Sequence, residues 1–140
     1  MIKIRNFFKA IVCITCLTVF MNNANTQPWP PAGMIGNGSS GNPYQITTIT
    51  QLANLALYVN AGNGSQTAGK YYKLMNDVDY KNSSPNQSVL GWDPIGNNLG
   101  YNTCFQGNFD GNGKVVANIR SNRASWDFIG LFGYFVRKYS

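Results

Sequence analysis

Residues 105–119 read FQGNFDGNGKVVANI. An aromatic–polar alternation up to Phe109 gives way to Asp110-Gly-Asn-Gly113, and a β-branched run from Val115 to Ile119 follows. Period-two alternation on either side of a DG/NG pair predicts strand, tight turn, strand. The same loop resembles the start of an EF-hand, with oxygens at Asp110 and Asn112. That reading fails at the fifth position, Lys114, at the sixth, Val115, where glycine is required, and at the twelfth, Ser121, where an acid is required. A hairpin turn is the reading that remains.

Working outward, the other segments are also short and strand-like. Tyr44-Gln-Ile-Thr47 alternates, and Tyr71 to Asp79 (YYKLMNDVD) sets Tyr72, Leu74 and Val78 on one side. Ser88 to Gly96 reads as a further strand. Phe128 to Val136 (FIGLFGYFV) is apolar on both faces, which predicts burial on both sides or cover by a partner. One helix stands among them. Thr48 and Gln51 spell a capping box, Ile49, Leu52, Ala53, Ala56 and Val59 fall on one helical face, and Asn60-Ala61-Gly62 supplies the stop.

The N-terminus carries an address. Lys3, Arg5 and Lys9 precede an apolar run, Ala10 to Met21, and polar residues follow up to Gln27. Such an arrangement predicts a secretory signal peptide over residues 1–26 and export to the medium or the cell surface. The apolar run is short of the ~20 residues a transmembrane helix needs, so no stable span is expected after cleavage, at Ala24 or Thr26. Residues 27–43 form a Pro/Gly-rich leader, and 44–140 form the domain. Of the 140 residues only 11% are charged, and the formal +6 falls by three once the signal peptide's bases are removed. No face clusters Lys or Arg, so nucleic acid is not an expected partner.

The sequence holds no His and no Glu. That excludes His-based triads, His-ligated zinc and any Glu acid or base. Cys13 and Cys16 lie inside the signal peptide, leaving Cys104 as a lone, unactivated thiol read as a small buried hydrophobe. Gly36, Gly38 and Gly41 spell a dinucleotide fingerprint, but prolines on both sides deny it a strand and a helix, so no cofactor is expected. Asp77 and Asp79, at i and i+2 of one strand, are expected to project from one face. They could serve a polysaccharide-acting enzyme or, with Asn76 and Asn82, a weak Ca²⁺ site; a structural turn network is the preferred reading. Trp92, Trp126, Tyr71, Tyr101 and Tyr134 are candidate stacking platforms for sugars, although aromatics more often fill a core. Four N-glycosylation sequons, at Asn37, Asn63, Asn82 and Asn86, are read as a by-product of an Asn-rich surface.

The order of several words resembles the N-terminal part of bacterial surface proteins carrying the GLUG motif. These are Gly36-x-Gly-x-x-x-x-Pro-Tyr-x-Ile-Thr-Thr48, Gln51-Leu-Ala-x-Leu-Ala56 with Val59-Asn60, Gly69-Lys-Tyr-Tyr-Lys-Leu74 and Asn76-Asp-Val-Asp79. Trp92-x-Pro-Ile-Gly96, Phe105-x-Gly-x-Phe-Asp-Gly-Asn-Gly113 and the signature Gly130-Leu131-Phe132-Gly133 complete the set. The resemblance implies a mainly β fold, the start of a right-handed parallel β-helix with one short amphipathic capping helix. It also implies a non-enzymatic, adhesin-like surface module whose partners are glycans or surface proteins. Some such proteins precede a metallopeptidase domain, a role this chain cannot fill without His. Family members continue with further repeats after the signature, whereas here Arg-Lys-Tyr-Ser closes the sequence. The expectation is therefore a shortened product, either without independent function or self-associating through the open C-terminal edge.

Overall fold

The computed structural model describes residue 30 and residues 33–82, 90–122, 127 and 129–135. The predicted signal peptide, Trp126, the Asn86 sequon and the ends of two predicted strands (Ser88, Val89, Phe128, Val136) lie outside the described residues.

Among the described residues, five short strands and one α-helix carry the architecture. Strand β1 (Tyr44–Ile46) leads into helix α1 (Ile49–Tyr58). Strands β2 (Tyr71–Leu74), β3 (Val78–Asp79), β4 (Asn108–Asp110) and β5 (Val116–Ala117) follow. They form two small open sheets, one ordered β1-β2-β4 and one pairing β3 with β5. Every pairing within them is parallel. Tyr44 lies beside Tyr72, Tyr72 beside Phe109 and Val78 beside Val116. Parallel bridges at Ile95–Phe132 and Phe105–Phe135 extend the same order outside the strands.

This corrects the hairpin expected across Asp110–Gly113. β4 and β5 do not pair with each other: each lies beside an earlier strand, in a different sheet. The loop is a corner between sheets. The single strand expected over Tyr71–Asp79 is likewise broken at Met75–Asp77, although Tyr72, Leu74 and Val78 do all point inward. Ser88–Gly96 contributes isolated bridges at Gly91 and Ile95 and no named strand among its described residues. Of the two expectations for Phe128–Val136, burial on both sides is not met, since Ile129 and Phe135 are 58% and 66% exposed; cover by a partner is the one that stays open.

The helix forms as its sequence directs. Thr48 Oγ1 accepts the Gln51 N–H at 3.2 Å, and Gln51 Oε1 accepts from the backbone N–H groups of Thr47 and Thr48. Ile49, Leu52, Leu55 and Ala56 are buried, with Ala53 packed partly against them. Beyond Tyr58 the chain widens into a π turn that ends the helix at Gly62, whose φ of 95° suits glycine. Burying each large aliphatic such as Leu52 or Leu55 contributes about 1.5–3 kcal/mol, against about 1 kcal/mol for a cap, so packing anchors the helix.

Its apolar face meets a core built from the inward residues of successive passes. Tyr44, Tyr72, Phe105, Phe132 and Phe109 form a chain of aromatic contacts with centroids 5.2–5.5 Å apart. Trp92 meets Tyr80 edge-on at 5.5 Å. Residues 33–43 close one end of the three-stranded sheet: Gln45 N–H donates to Ile35 O at 2.8 Å in an antiparallel bridge, and Met34 enters the core.

Candidate functional site

The outer face of the three-stranded sheet carries the candidate site. Strand alternation turns Tyr72 and Leu74 inward and Tyr71 and Lys73 outward, with Asn108 and Asp110 exposed beside them. The register then makes two columns, Tyr71 beside Asn108 and Gln45, Lys73 and Asp110 in line. A shallow groove of about 280 Å³ runs between them, lined by Ser40, Pro43, Tyr71, Lys73, Asn108 and Asp110 among others.

Its walls are fixed. Asn37 and Gly38 N–H donate to Asn42 O at 3.1 and 3.0 Å, and Gly38 O accepts the Tyr71 N–H at 3.0 Å, which sets the loop bearing Ser40 and Pro43 over Tyr71. Lys73 Nζ lies 3.2 Å from Asp110 Oδ2, while Asp110 Oδ1 accepts the Asn112 N–H at 2.7 Å. The Asn112 backbone N–H, and after it Lys73, hold the Asp110 carboxyl below its ordinary range.

Asp77 and Asp79 are each bonded to a later pass of the chain. Asp77 lies in the corner before β3, and its Oδ1 accepts the Val115 N–H at 2.9 Å. Asp79 Oδ1 accepts from Asn118 Nδ2 at 2.8 Å and from Lys81 N–H at 2.9 Å. Those bonds, Asn118 first, lower the Asp79 pKa. Asn76, weighed as a metal ligand, donates to Thr47 O at 3.1 Å. Among the described residues no group of three or more His, Cys, Asp or Glu could hold a metal ion.

The aromatic candidates separate by burial. Trp92 is 2% exposed and donates Nε1–H to Leu131 O at 3.3 Å, so it packs the core and offers no platform. Tyr101 and Tyr134 are exposed, and Tyr71, 39% exposed, is the one that lines the sheet-face groove. Cys104 is buried, as expected; its thiol meets Gly100 O at 3.1 Å, and burial pushes its pKa up. The Gly130–Gly133 signature acts as a clamp: Leu131 O accepts Ile95 N–H and Gly133 N–H donates to Ile95 O, at 3.0 and 3.1 Å.

Three linking side chains were missed from the sequence. Asn60 donates to Pro94 O at 2.9 Å and accepts Gly96 N–H at 3.0 Å. Buried Thr67 donates to Gly64 O at 2.6 Å and accepts Gln106 N–H at 2.9 Å. Gln106 in turn donates Nε2–H to Tyr101 O at 2.9 Å. Inward-facing polar residues next to turns were the only signal available.

No family model and no solved structure matches the chain. Two relatives do. A protein of Evansella cellulosilytica named "Putative Gly-rich membrane protein" is 30% identical over 127 residues, 91% of this chain and 13% of the relative. Halomucin of Haloquadratum walsbyi is 32% identical over 101 residues, 70% of this chain and 1% of the relative. The chain thus spans only a small part of either protein. Among the described residues no helix is long and apolar enough to cross a membrane.

Proposed function

We propose that the chain is an exported, non-enzymatic surface module, and that its parallel passes are the opening coils of a right-handed β-helix of the GLUG-motif kind. One observation carries the architectural part. Side-chain bonds from Trp92 to Leu131, Gln106 to Thr67, Asn112 to Leu74, Val115 to Asp77 and Asn118 to Asp79 all bridge residues 38 or 39 apart. That shared return, together with the parallel register, supports stacked coils, the first return from Tyr44 to Tyr72 being shorter. In this reading residues 33–43 cap the first coil, and the edge exposing Val115, Ile129 and Phe135 is where a following coil or a second copy stacks.

The surface role rests on the signal-peptide pattern and on relatives named for a membrane and as a mucin. The two carboxylates that an enzyme reading would use are both bonded to neighbouring passes, which supports a structural duty for them. The test is expression of the full chain with a C-terminal epitope tag in a bacterial host, with fractionation and N-terminal mapping. The expected product begins at Asn25 or Gln27 and lies outside the cytoplasm. An intact chain starting at Met1 and retained in the cytoplasm contradicts the proposal.

A further inference from the structure

The geometry points to the groove on the outer face of the three-stranded sheet as a binding site for an uncharged pyranose oligosaccharide, with Tyr71 as the stacking platform. The inference goes beyond the export and β-helix readings and stands without them.

Three features select the ligand. First, Tyr71 offers an exposed ring and lies one strand spacing, about 4.8 Å, from Asn108 and about 6.6–7 Å along the strand from Lys73. A sugar ring resting its C–H face on Tyr71 carries its rim hydroxyls to that amide and to the Lys73–Asp110 pair. Vicinal hydroxyls suit such a pair, one donating to the carboxylate while its neighbour accepts from the ammonium.

Second, the site is electrically closed. Lys73 is matched by Asp110 at 3.2 Å, so the groove carries no surplus charge to draw an anion or a cation. The Asn108 backbone N–H donates to Lys70 O at 2.8 Å and its side chain adds a long bond of 3.4 Å to the same oxygen, so the carboxamide retains a donor and an acceptor for a neutral polar ligand.

Third, the groove is preorganised and shallow. At about 280 Å³ it falls near the lower end of small-molecule sites, matching one or two rings of an open chain. Asp110 is held by Asn112, the Tyr71 backbone by Gly38, and Pro43 by its own ring, so the frame of the groove is set before binding. A peptide adding to a sheet pairs along an edge, whereas this groove lies on a face.

The experiment titrates the purified full chain with neutral hexa-oligosaccharides of glucose, mannose, galactose and N-acetylglucosamine, and with polygalacturonate and heparin, by calorimetry and amide NMR. At least one neutral oligosaccharide is expected to bind saturably, shifting amides of residues 71–73 and 108–110. Tyr71→Ala should weaken it about ten-fold, Tyr71→Phe less than about three-fold, and exposed Tyr101→Ala not at all. Because Tyr71 points outward, the variants should keep the parent's unfolding midpoint. Three results would overturn the proposal: no neutral sugar binds, only the charged polymers bind, or Tyr71→Ala and Tyr101→Ala weaken binding equally.

Discussion

Asp77 Oδ1 accepts the backbone N–H of Val115 at 2.9 Å and so ties one pass of the chain to the next, 38 residues on. Two residues later Asp79 does the same to Asn118, at 2.8 Å. Between them lies the Val78–Val116 pairing of β3 with β5. The only neighbouring carboxylates in the sequence are thus fasteners at a corner, one on a backbone group and one on a side chain.

Removing the first fastener should cost stability and nothing else. Asp77→Ala deprives the Val115 N–H of its acceptor, a loss of about 0.5–1.5 kcal/mol. For a domain of this size each 1 kcal/mol lowers Tm by roughly 4–8 °C. Asp77→Asn keeps an acceptor oxygen and should lose less than half as much. Circular dichroism melts of the two variants against the parent check the ordering.

Thr67 is the more sensitive position. It is fully buried, and its hydroxyl serves both Gly64 O and Gln106 N–H. Thr67→Val preserves shape but orphans both partners, at about 1–3 kcal/mol. Thr67→Ser restores the bonds and gives up one methyl, about 0.8 kcal/mol. Urea titrations should show the midpoint falling in the order parent, Ser, Val, with an unchanged slope.

Gly96 tests the clamp between passes. Its φ is 84°, and a Cβ there would stand 2.1 Å from Tyr134 O. Gly96→Ala must push residues 131–135 away, at a cost of about 2 kcal/mol or more. Chymotrypsin should then cut at Phe132, Tyr134 and Phe135 faster than in the parent. Gly100→Ala, with nothing within 4 Å of its Cβ, should leave the cleavage rate unchanged.

Acid should weaken the fold in a defined window. Asp79 and Asp110 both have lowered pKa values in the folded chain, the first through Asn118, the second through the Asn112 N–H. Their contribution is fully present above the unfolded carboxyl value, near pH 3.9, and is lost as pH falls through the lower folded values. Denaturant midpoints from pH 7 to 2 should stay level to about pH 5 and then drop. The Asp79→Asn, Asp110→Asn double variant should show a shallower drop.

Much of this was legible residue by residue. Thr48 and Gln51 announce the helix start, and the alternation of Tyr72, Leu74 and Val78 announces the inward face. What stayed hidden was which strand neighbours which. A hairpin turn demands positive φ at its central residues, and the corner at Asp110–Gly113 demands it too, at Asn112 (50°) and Gly113 (64°). The same local chemistry therefore serves both folds, and only the pairing of β4 with β2 decides between them. The groove was hidden for the same reason, because Tyr71 and Asp110 share a face only once that register is known. Trp92 and Tyr71 are equally good platforms by composition; burial alone separates them.

The parallel register of β2 and β4 is the claim on which both the stacked passes and the groove depend. Cysteine pairs test it most directly, with oxidised links mapped by mass spectrometry in the full chain. Lys73→Cys with Asp110→Cys places the pair at register partners on the outer face and should form a disulfide readily under mild oxidation. Phe109→Cys with Lys114→Cys, which would face each other across a hairpin turn, should remain unlinked. Rapid linkage of 109 to 114, with none between 73 and 110, would contradict the parallel register.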